Sequence, residues 1–318
     1  MSNMELIQSV DKSYGIAVRN ASVLRDGSDN VVWILNTQNG KKIIARVSKR
    51  EMNSNITFEA EWLRFLKSKK VPVIPPIESK IGEAYAVSSD GGAITVFEFV
   101  NGKGFPFDKD NPPPHKAVAS AAKALAELHN ASRGYTVSLP RQRTIYTELE
   151  RAVTYEDKVT EKMPGGAKFM REVKEALALK DSSTAVLLHN DYHIGNLLFR
   201  KNNTVAAILD FDWCCAGPAI KDVSHSLVIW SLASLAKTHW SAIFDNFLES
   251  YNNAAQEKIA NDECLHQWIA FSCLSDACTY LIDRLEHSKI KTVASCHMYQ
   301  KFRYFSSIRQ HIEKKARL

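Results

Sequence analysis

The 318-residue chain has few cysteines, glycines and prolines. Its six cysteines all lie after residue 213, and no two form a CxxC pair. This argues against a zinc site or a disulfide framework, and we expect a cytoplasmic protein. With only 13 glycines and 10 prolines, the composition is neither collagen-like nor linker-like.

Long apolar runs and a strong excess of one charge are also lacking. No apolar stretch approaches the roughly 18 residues of a membrane span, and the N terminus does not resemble a signal peptide. The net charge of +6 is modest for this length and makes no case for nucleic-acid binding. We therefore expect no nucleic-acid partner and no membrane partner. The expected oligomeric state is a monomer or a homodimer.

The first hundred residues carry strand patterns and one helical pattern. Short β-branched runs at 18–26, 30–37 and 41–48 are separated by turn residues. An apolar stripe of helical spacing follows at 55–70, and two more strand-like runs lie between 83 and 100. The pattern predicts a small antiparallel sheet with one helix inserted.

After Asn101 and Gly102 the sequence pattern changes from mainly strand-like to mainly helical. Prolines at 112–114 mark the start of a helix whose apolar face runs to His129. Residues 222–310 are mostly helical in pattern, and a short β region lies between 185 and 210. This predicts an α+β protein of two lobes, residues 1–101 and 102–318.

The segment from 186 to 224 contains the residues best suited to chemistry. Asp191 and Asn196 lie on one loop, and Asp210 lies at the end of a strand 14 residues after Asn196. Because a hairpin of that length folds back, Asn196 and Asp210 can meet. All three side chains offer oxygen ligands, which select a hard cation such as Mg²⁺.

The order HNDYHIGN followed by ILDFDW resembles the H-G-D-x-H-x-x-N…(I/V)-D-(W/F) signature of the aminoglycoside phosphotransferase and choline kinase superfamily. The resemblance implies a protein-kinase-like fold with a nucleotide-binding N-lobe, and transfer of the γ-phosphate of ATP to a small hydroxyl acceptor. ALAELHNASRGY and DVSHSL are most similar to the homoserine-kinase-like branch, which also includes a bacterial stress-response protein kinase.

The resemblance also implies roles for individual residues of the C-lobe. Asp191 matches the catalytic aspartate that orients the attacking hydroxyl, and His189 matches a histidine that braces its loop. Asn196 and Asp210 match the Mg²⁺ ligands. Asp222 matches an acidic residue that supports the loop through hydrogen bonds.

In the N-lobe, the superfamily pairs a basic strand residue with a glutamate of the helix. Arg46 and Glu59, 13 positions apart, match this pair, and Glu61 is the alternative partner. Arg46 would contact the α- and β-phosphates.

Three further N-lobe residues are expected to contact the nucleotide. Ser28 belongs to the turn at 27–30, where the superfamily has a phosphate-covering loop. Glu98 and Val100 match the hinge, whose backbone would bond adenine.

The acceptor site is the part that the sequence specifies least. Residues 205–287 carry 11 acidic residues against 4 basic ones, and such a wall suits an ammonium-bearing acceptor. Asp276, Asp283 and Glu286 share one predicted helix face and, together with Tyr280, are candidates for acceptor contacts. Asp212 either lines the substrate or a second metal site or is a solvated carboxylate, and the sequence leaves both possibilities open.

The preferred acceptor is an amino alcohol such as homoserine, and the alternatives are an aminoglycoside, a choline-like molecule, a sugar or protein Ser/Thr. A rival of another class is a non-catalytic nucleotide-binding module. The H-x-D-x-H pattern of residues 189–193 also permits a metal hydrolase, but the further ligands that such an enzyme needs are missing at the required spacings.

Overall fold

The computed structural model contains two compact units. It describes residues 1–27, 30–48, 53–88, 91–106, 112–139, 141–180, 183–231, 240–287 and 292–316. The first unit comprises Met1–Lys103, Thr136–Arg141 and Leu197–Asp212. The second unit comprises Gly104–Tyr135, Gln142–Asn196 and Trp213–Leu318.

The first unit is built on a six-stranded antiparallel sheet of order β1-β2-β3-β6-β4, with β5 also paired to β6. The strands are β1 (Val18–Asp26), β2 (Asn30–Thr37), β3 (Lys42–Ser48), β4 (Pro76–Ile77), β5 (Ala86–Val87) and β6 (Ala93–Glu98). The three predicted strands of residues 18–48 are confirmed. Leu35, Ala45, Ile94 and Val96 are buried in its core, as expected for β-branched and aliphatic side chains on one face of a sheet.

Two helices belong to this unit, α1 (Asn3–Tyr14) and α2 (Asn53–Ser68). The prediction of a single helix in the first hundred residues was wrong, because α1 precedes the sheet. A capping box begins α1: the Ser2 hydroxyl accepts from the Glu5 amide at 3.3 Å, and Glu5 accepts from the Ser2 amide at 2.6 Å. Leu6 and Val10 are fully buried in the same core as the sheet.

A second hairpin, β8 (Leu197–Phe199) and β9 (Val205–Ile208), also belongs to the first unit. The Ile208 amide donates to the Pro72 carbonyl at 2.7 Å, and the backbones of Lys103 and Phe199 exchange two hydrogen bonds of 2.9 Å. Because of these bonds, residues 197–212 cluster with the first unit instead of following the division at residue 101. The roles assigned to the two lobes stay predictions.

The second unit is mainly helical. It contains β7 (Val186–Leu188) paired with β10 (Cys215–Gly217) and two 3₁₀ turns, at Ile194–Asn196 and Val293–Ser295. Its helices are α3 (His115–Ser132), α4 (Thr147–Thr154), α5 (Glu156–Lys162), α6 (Gly166–Leu177), α7 (Ala219–Ser231), α8 (Trp240–Ala254), α9 (Glu263–Glu286) and α10 (His297–Ala316).

The core of the second unit holds large side chains of α6 and α9, among them Phe169, Trp268 and Phe271. The short helices α4, α5 and α6 occupy residues for which no sequence pattern was assigned. Within the described residues, no helix is long and apolar enough to cross a membrane. The antiparallel sheet of one unit and the helices of the other confirm the predicted fold class.

The burial of α1 generates a stability prediction. Leu6→Ala should lower the free energy of unfolding by about 2–5 kcal/mol, because it opens a cavity in the core of the first unit. Met4→Ala on the same helix is the control, since Met4 is 69% exposed, and should change stability little. Urea denaturation measures both variants, and equal stabilities would contradict the packing of α1.

Candidate active site

The loop after β7, residues 189–196, is held by one buried carboxylate. Asp222, in the first turn of α7, is fully buried. It accepts the backbone amide hydrogens of His189 at 2.7 Å and Asn190 at 2.8 Å. The predicted hydrogen-bonded contact between Asp222 and this loop is therefore present.

A histidine helps to keep Asp222 charged. The His129 Nε2 lies 3.2 Å from the Asp222 carboxylate, and the His129 Nδ1 lies 2.9 Å from the Tyr251 hydroxyl. Burial alone would raise the pKa of Asp222, but the hydrogen bond and charge of His129 and the charges of Lys221 and His189 outweigh it. The resulting pKa of Asp222 lies below the ordinary value. The loop amides therefore bond an ionised carboxylate.

Asn190 occupies the position at which the superfamily signature has glycine. The backbone conformation of Asn190 explains why asparagine can replace glycine there. Its φ of +65° lies in the left-handed region, which asparagine tolerates better than most residues. The Asn190 side chain donates to the Trp213 carbonyl at 3.0 Å and accepts from the Lys221 ammonium. These bonds secure the turn immediately before Asp191.

The Asp191 side chain lies between an amide and a histidine of its own loop. Its Oδ2 accepts from the Asn196 amide at 3.0 Å and lies 3.5 Å from the His193 Nε2. Burial raises the pKa of Asp191, but the hydrogen bond and charge of His193, with the charges of His225 and His189, lower it to about 2. Asp191 is therefore an ionised acceptor that can orient a hydroxyl.

His189 is buried below this carboxylate. Its Nδ1 accepts the Asp191 backbone amide at 3.3 Å, and its ring meets the Tyr192 ring edge-to-face at 5.6 Å between centroids. This contact agrees with a bracing function, and any direct part of His189 in catalysis stays a prediction.

The Asn196 side chain is held by Asp191. Its Nδ2 donates both to the Asp191 carbonyl and to the Asp191 carboxylate, each at 3.0 Å. The amide nitrogen is engaged in this way, and the other polar atom of the side chain, Oδ1, can only accept. A carboxamide oxygen presented in this way fits Mg²⁺, which prefers oxygen ligands.

Asp210, the second expected ligand, follows β9 in the first unit. Its φ of +64° is in the left-handed region, and its side chain is 35% exposed, 3.9 Å from Arg25. Asn196 and Asp210 belong to different compact units, and their joint role stays a prediction.

Arg46 of β3 and Glu59 of α2 form a bidentate ion pair within the first unit. The Arg46 Nη2 lies 2.8 Å from the Glu59 Oε2, and Nη1 lies 3.2 Å from Oε1. Only 9% of Arg46 and 5% of Glu59 are exposed. Glu61 instead accepts from the Ser138 amide at 2.7 Å, so Glu59 is the partner, as predicted.

Asp212 is a third member of this ion pair that sequence reasoning missed. Its Oδ1 accepts from the Arg46 Nη1 at 2.7 Å, and its Oδ2 accepts from the Asn30 side chain. Asp212 is therefore held by other side chains and is not a purely solvated carboxylate. Burial opposes the charge of Arg46, but the charges of Glu59 and Asp212 keep the pKa of Arg46 above its ordinary value.

Three of the acceptor candidates on α9, Asp276, Asp283 and Tyr280, have different partners. Asp276 bonds the His225 Nε2 at 3.0 Å, whereas Asp283 lies 2.9 Å from Arg151. The Tyr280 ring lies 4.4 Å from the Arg284 guanidinium. The prediction of one acidic surface overlooked these ion pairs, and acceptor binding by all three residues stays a prediction.

Three further residues, Ser28, Glu98 and Val100, are expected to contact the nucleotide. Ser28 is outside the described residues. Glu98 ends β6 opposite Ile43, and Val100 follows in irregular backbone. Their contacts with adenine stay predictions.

Comparison with known proteins identifies relatives of this fold. A family model described as "Phosphotransferase enzyme family" matches residues 20–264. A homoserine kinase of Caulobacter vibrioides is 24% identical over 216 residues, covering 65% of this chain and 64% of that protein. Stress response kinase A of Escherichia coli is 22% identical over 253 residues, covering 76% of this chain and 72% of that protein. The chain thus spans less than two thirds of the length of this homoserine kinase.

Solved structures show the same architecture. An amicoumacin kinase in complex with AMP-PNP, Ca²⁺ and Ami superimposes with a TM-score of 0.77 at 17% identity, covering 96% of this chain and 94% of that one. A spectinomycin phosphotransferase in complex with ADP and spectinomycin gives 0.64 at 17% identity, with the same coverage of both chains.

The environment of Asp191 predicts its titration. Its lowered pKa stabilises the folded chain above pH about 4, the ordinary carboxyl value, and this contribution is lost as the pH falls toward 2. We expect the carboxyl ¹³C resonance of Asp191, assigned by its loss in Asp191→Asn, to stay that of a carboxylate at pH 5. A midpoint above pH 4 would contradict this electrostatic environment.

Proposed function

Because this chain belongs to the phosphotransferase enzyme family, we propose that it is an ATP-dependent kinase that phosphorylates a hydroxyl of a small molecule. The observation that carries the proposal is the loop of residues 189–196, in which a buried carboxylate holds the backbone and Asp191 stays ionised beside Asn196. The proposed acceptor is an amino alcohol such as homoserine, because homoserine kinases are among the relatives.

In this proposal Asp191 accepts, or orients, the proton of the attacking hydroxyl. In phosphoryl transfer the protein takes little part in covalent bond changes. Catalysis therefore depends on positioning the reactants and on electrostatic stabilisation of the transition state. The Asp222 anchor supplies the positioning, since it fixes the backbone of the two residues that precede Asp191.

We also propose that Asn196 and Asp210 hold Mg²⁺. When bound, Mg²⁺ neutralises charge on the phosphates of ATP. The protein supplies two oxygen ligands, few enough to leave positions for phosphate oxygens and water, as is usual for this cation.

Arg46 is proposed to contact the α- and β-phosphates while Glu59 and Asp212 hold its guanidinium. A fixed, charged fork suits phosphate oxygens. Because Arg46 already pairs with Asp212, a nucleotide that takes the same Nη1 donor must compete with that carboxylate. Glu98 and Val100 are proposed to bond adenine through their backbone groups, and Ser28 to lie over the phosphates.

The first experiment tests the kinase reaction. Wild-type protein with Mg²⁺ and γ-labelled ATP should transfer label to a member of an acceptor panel that includes L-homoserine, ethanolamine, choline, spectinomycin and kanamycin. Asp191→Asn should lower kcat by about 10²–10⁴-fold, the usual contribution of a positioned acid–base group, while ATP binding changes little. Binding of ATP without transfer to any acceptor would favour the non-catalytic nucleotide-binding module.

The second experiment tests Arg46 and Glu59 as a unit. Arg46→Ala should raise the KM for ATP and lower kcat, whereas Glu59→Gln should have a milder effect because Asp212 still holds the guanidinium. A double-mutant cycle in kcat/KM for ATP should give less than additive losses. Glu78→Gln, which removes an exposed ion pair with Arg64, is the control and should have no effect. Full additivity would show that the two residues do not cooperate.

A further inference from the structure

His193 is the second histidine of the H-x-D-x-H pattern, two positions after Asp191. It immediately precedes the 3₁₀ turn of Ile194–Asn196, and that turn bonds it twice. The His193 carbonyl accepts from the Asn196 amide at 3.0 Å, and the His193 Nδ1 accepts from the Gly195 amide at 3.0 Å. The backbone of the loop therefore fixes the orientation of the imidazole ring.

The bond to Gly195 determines where the His193 ring carries its hydrogen. A backbone amide nitrogen only donates, so Nδ1 presents a lone pair to it. A ring that accepts at Nδ1 has its N–H at Nε2, on the opposite edge. This edge meets Asp191, because Nε2 lies 3.5 Å from the Asp191 Oδ2. The distance is slightly long for a hydrogen bond, and contacts of this kind commonly shorten when a substrate binds.

The described partners of the Asp191 carboxylate meet the same oxygen. The Asn196 side chain donates to Oδ2 at 3.0 Å, and the His193 Nε2 approaches Oδ2 as well. Within the described part of the chain, no hydrogen bond is made to Oδ1. Because 31% of the Asp191 side chain is exposed, a solute can reach the carboxylate. Oδ1 is the oxygen that remains to accept a hydroxyl hydrogen.

The two histidines of the pattern restrain different parts of Asp191. His189 is fully buried and accepts the Asp191 backbone amide at 3.3 Å, so it restrains the backbone. His193 approaches the carboxylate, and 22% of its side chain is exposed. The last torsion of an aspartate has broad, two-fold preferences, so rotation would exchange its two oxygens. A donor fixed beside Oδ2 opposes that rotation.

We propose that His193 is a positioning residue for Asp191, whose Oδ2 it holds so that Oδ1 is presented to the hydroxyl of the phosphate acceptor. This inference rests on the proposed kinase function and adds a residue to it. Orientation acts mainly on the chemical step, because a misplacement of about 1 Å can lower the rate by about 10²-fold. We therefore expect an effect on kcat and little change in the acceptor KM.

The test compares two amides that replace different ring atoms of His193. His193→Asn places an amide oxygen near the position of Nδ1, where it can accept from Gly195, and has no atom near Nε2. His193→Gln places an amide nitrogen near the position of Nε2, where it can donate to Asp191, and loses the bond to Gly195. The substrate is the acceptor of the panel that the wild type phosphorylates fastest.

The proposed contact predicts opposite behaviour of the two variants. His193→Asn should lower kcat by about 10- to 100-fold, with the KM for ATP and for the acceptor nearly unchanged. His193→Gln should retain most of the wild-type kcat. A purely structural function of His193 in the loop predicts the reverse order, because His193→Asn keeps the bond to Gly195 and His193→Gln does not.

Controls separate this effect from damage to the fold. His115, an exposed histidine at the start of α3, is replaced by the same two amides, and both variants should behave as wild type. Urea denaturation of every variant measures its stability. If His193→Gln does not fold, His193→Asn decides alone, since a wild-type kcat in that variant contradicts the proposed contact and a selective loss of kcat supports it.

The outcomes distinguish the inference from the proposed function. A wild-type kcat in His193→Asn, a larger loss in folded His193→Gln than in His193→Asn, or equal losses in both overturn the inference and leave the kinase function intact. Failure of the wild type to phosphorylate any panel member overturns the proposed function and this inference with it.

Discussion

The architecture around the loop of residues 189–196 depends on the burial of one ionised carboxylate, Asp222. A buried charge is unfavourable unless hydrogen bonds satisfy it. Here two backbone amides of the loop and the His129 ring surround the two oxygens. The same bonds that stabilise the charge fix the backbone immediately before Asp191, so the position of the Asp191 carboxylate and the stability of α7 have a common origin.

The first unit also contains a buried charge, which is stabilised by two carboxylates. Arg46 is buried, and two carboxylates from distant segments, Glu59 and Asp212, share its guanidinium. Asp212 thereby links the end of the β8–β9 hairpin to β3 of the sheet. Backbone strain is present in both segments: Asn190 and Asp210 occupy the left-handed region, a conformation that persists only where surrounding bonds maintain it.

Much of the fold and part of the site could be predicted from the sequence. The strands at 18–26 and 30–37 have the predicted bounds, because alternation and turn residues are local signals. Arg46 and Glu59 are 13 positions apart on neighbouring elements, and the resemblance to the superfamily was sufficient to pair them. Helix α1 was missed although its capping box and its apolar residues Leu6 and Val10 are visible in the sequence.

Tertiary structure decided the contacts that join distant segments. The bond of Arg46 to Asp212 spans 166 positions, and that of His225 to Asp276 spans 51. Nothing local distinguishes Asp212 from a solvated carboxylate, or Asp276 from Asp283, since which acid meets which base depends on how helices and strands pack. The sequence by itself determined the strands of the sheet at 18–48 and the order of polar residues in the loop, because short-range periodicity and the signature order are local properties of the chain. Which charged side chains pair with each other is decided only by the tertiary structure, because the partners come from segments that are far apart in the sequence.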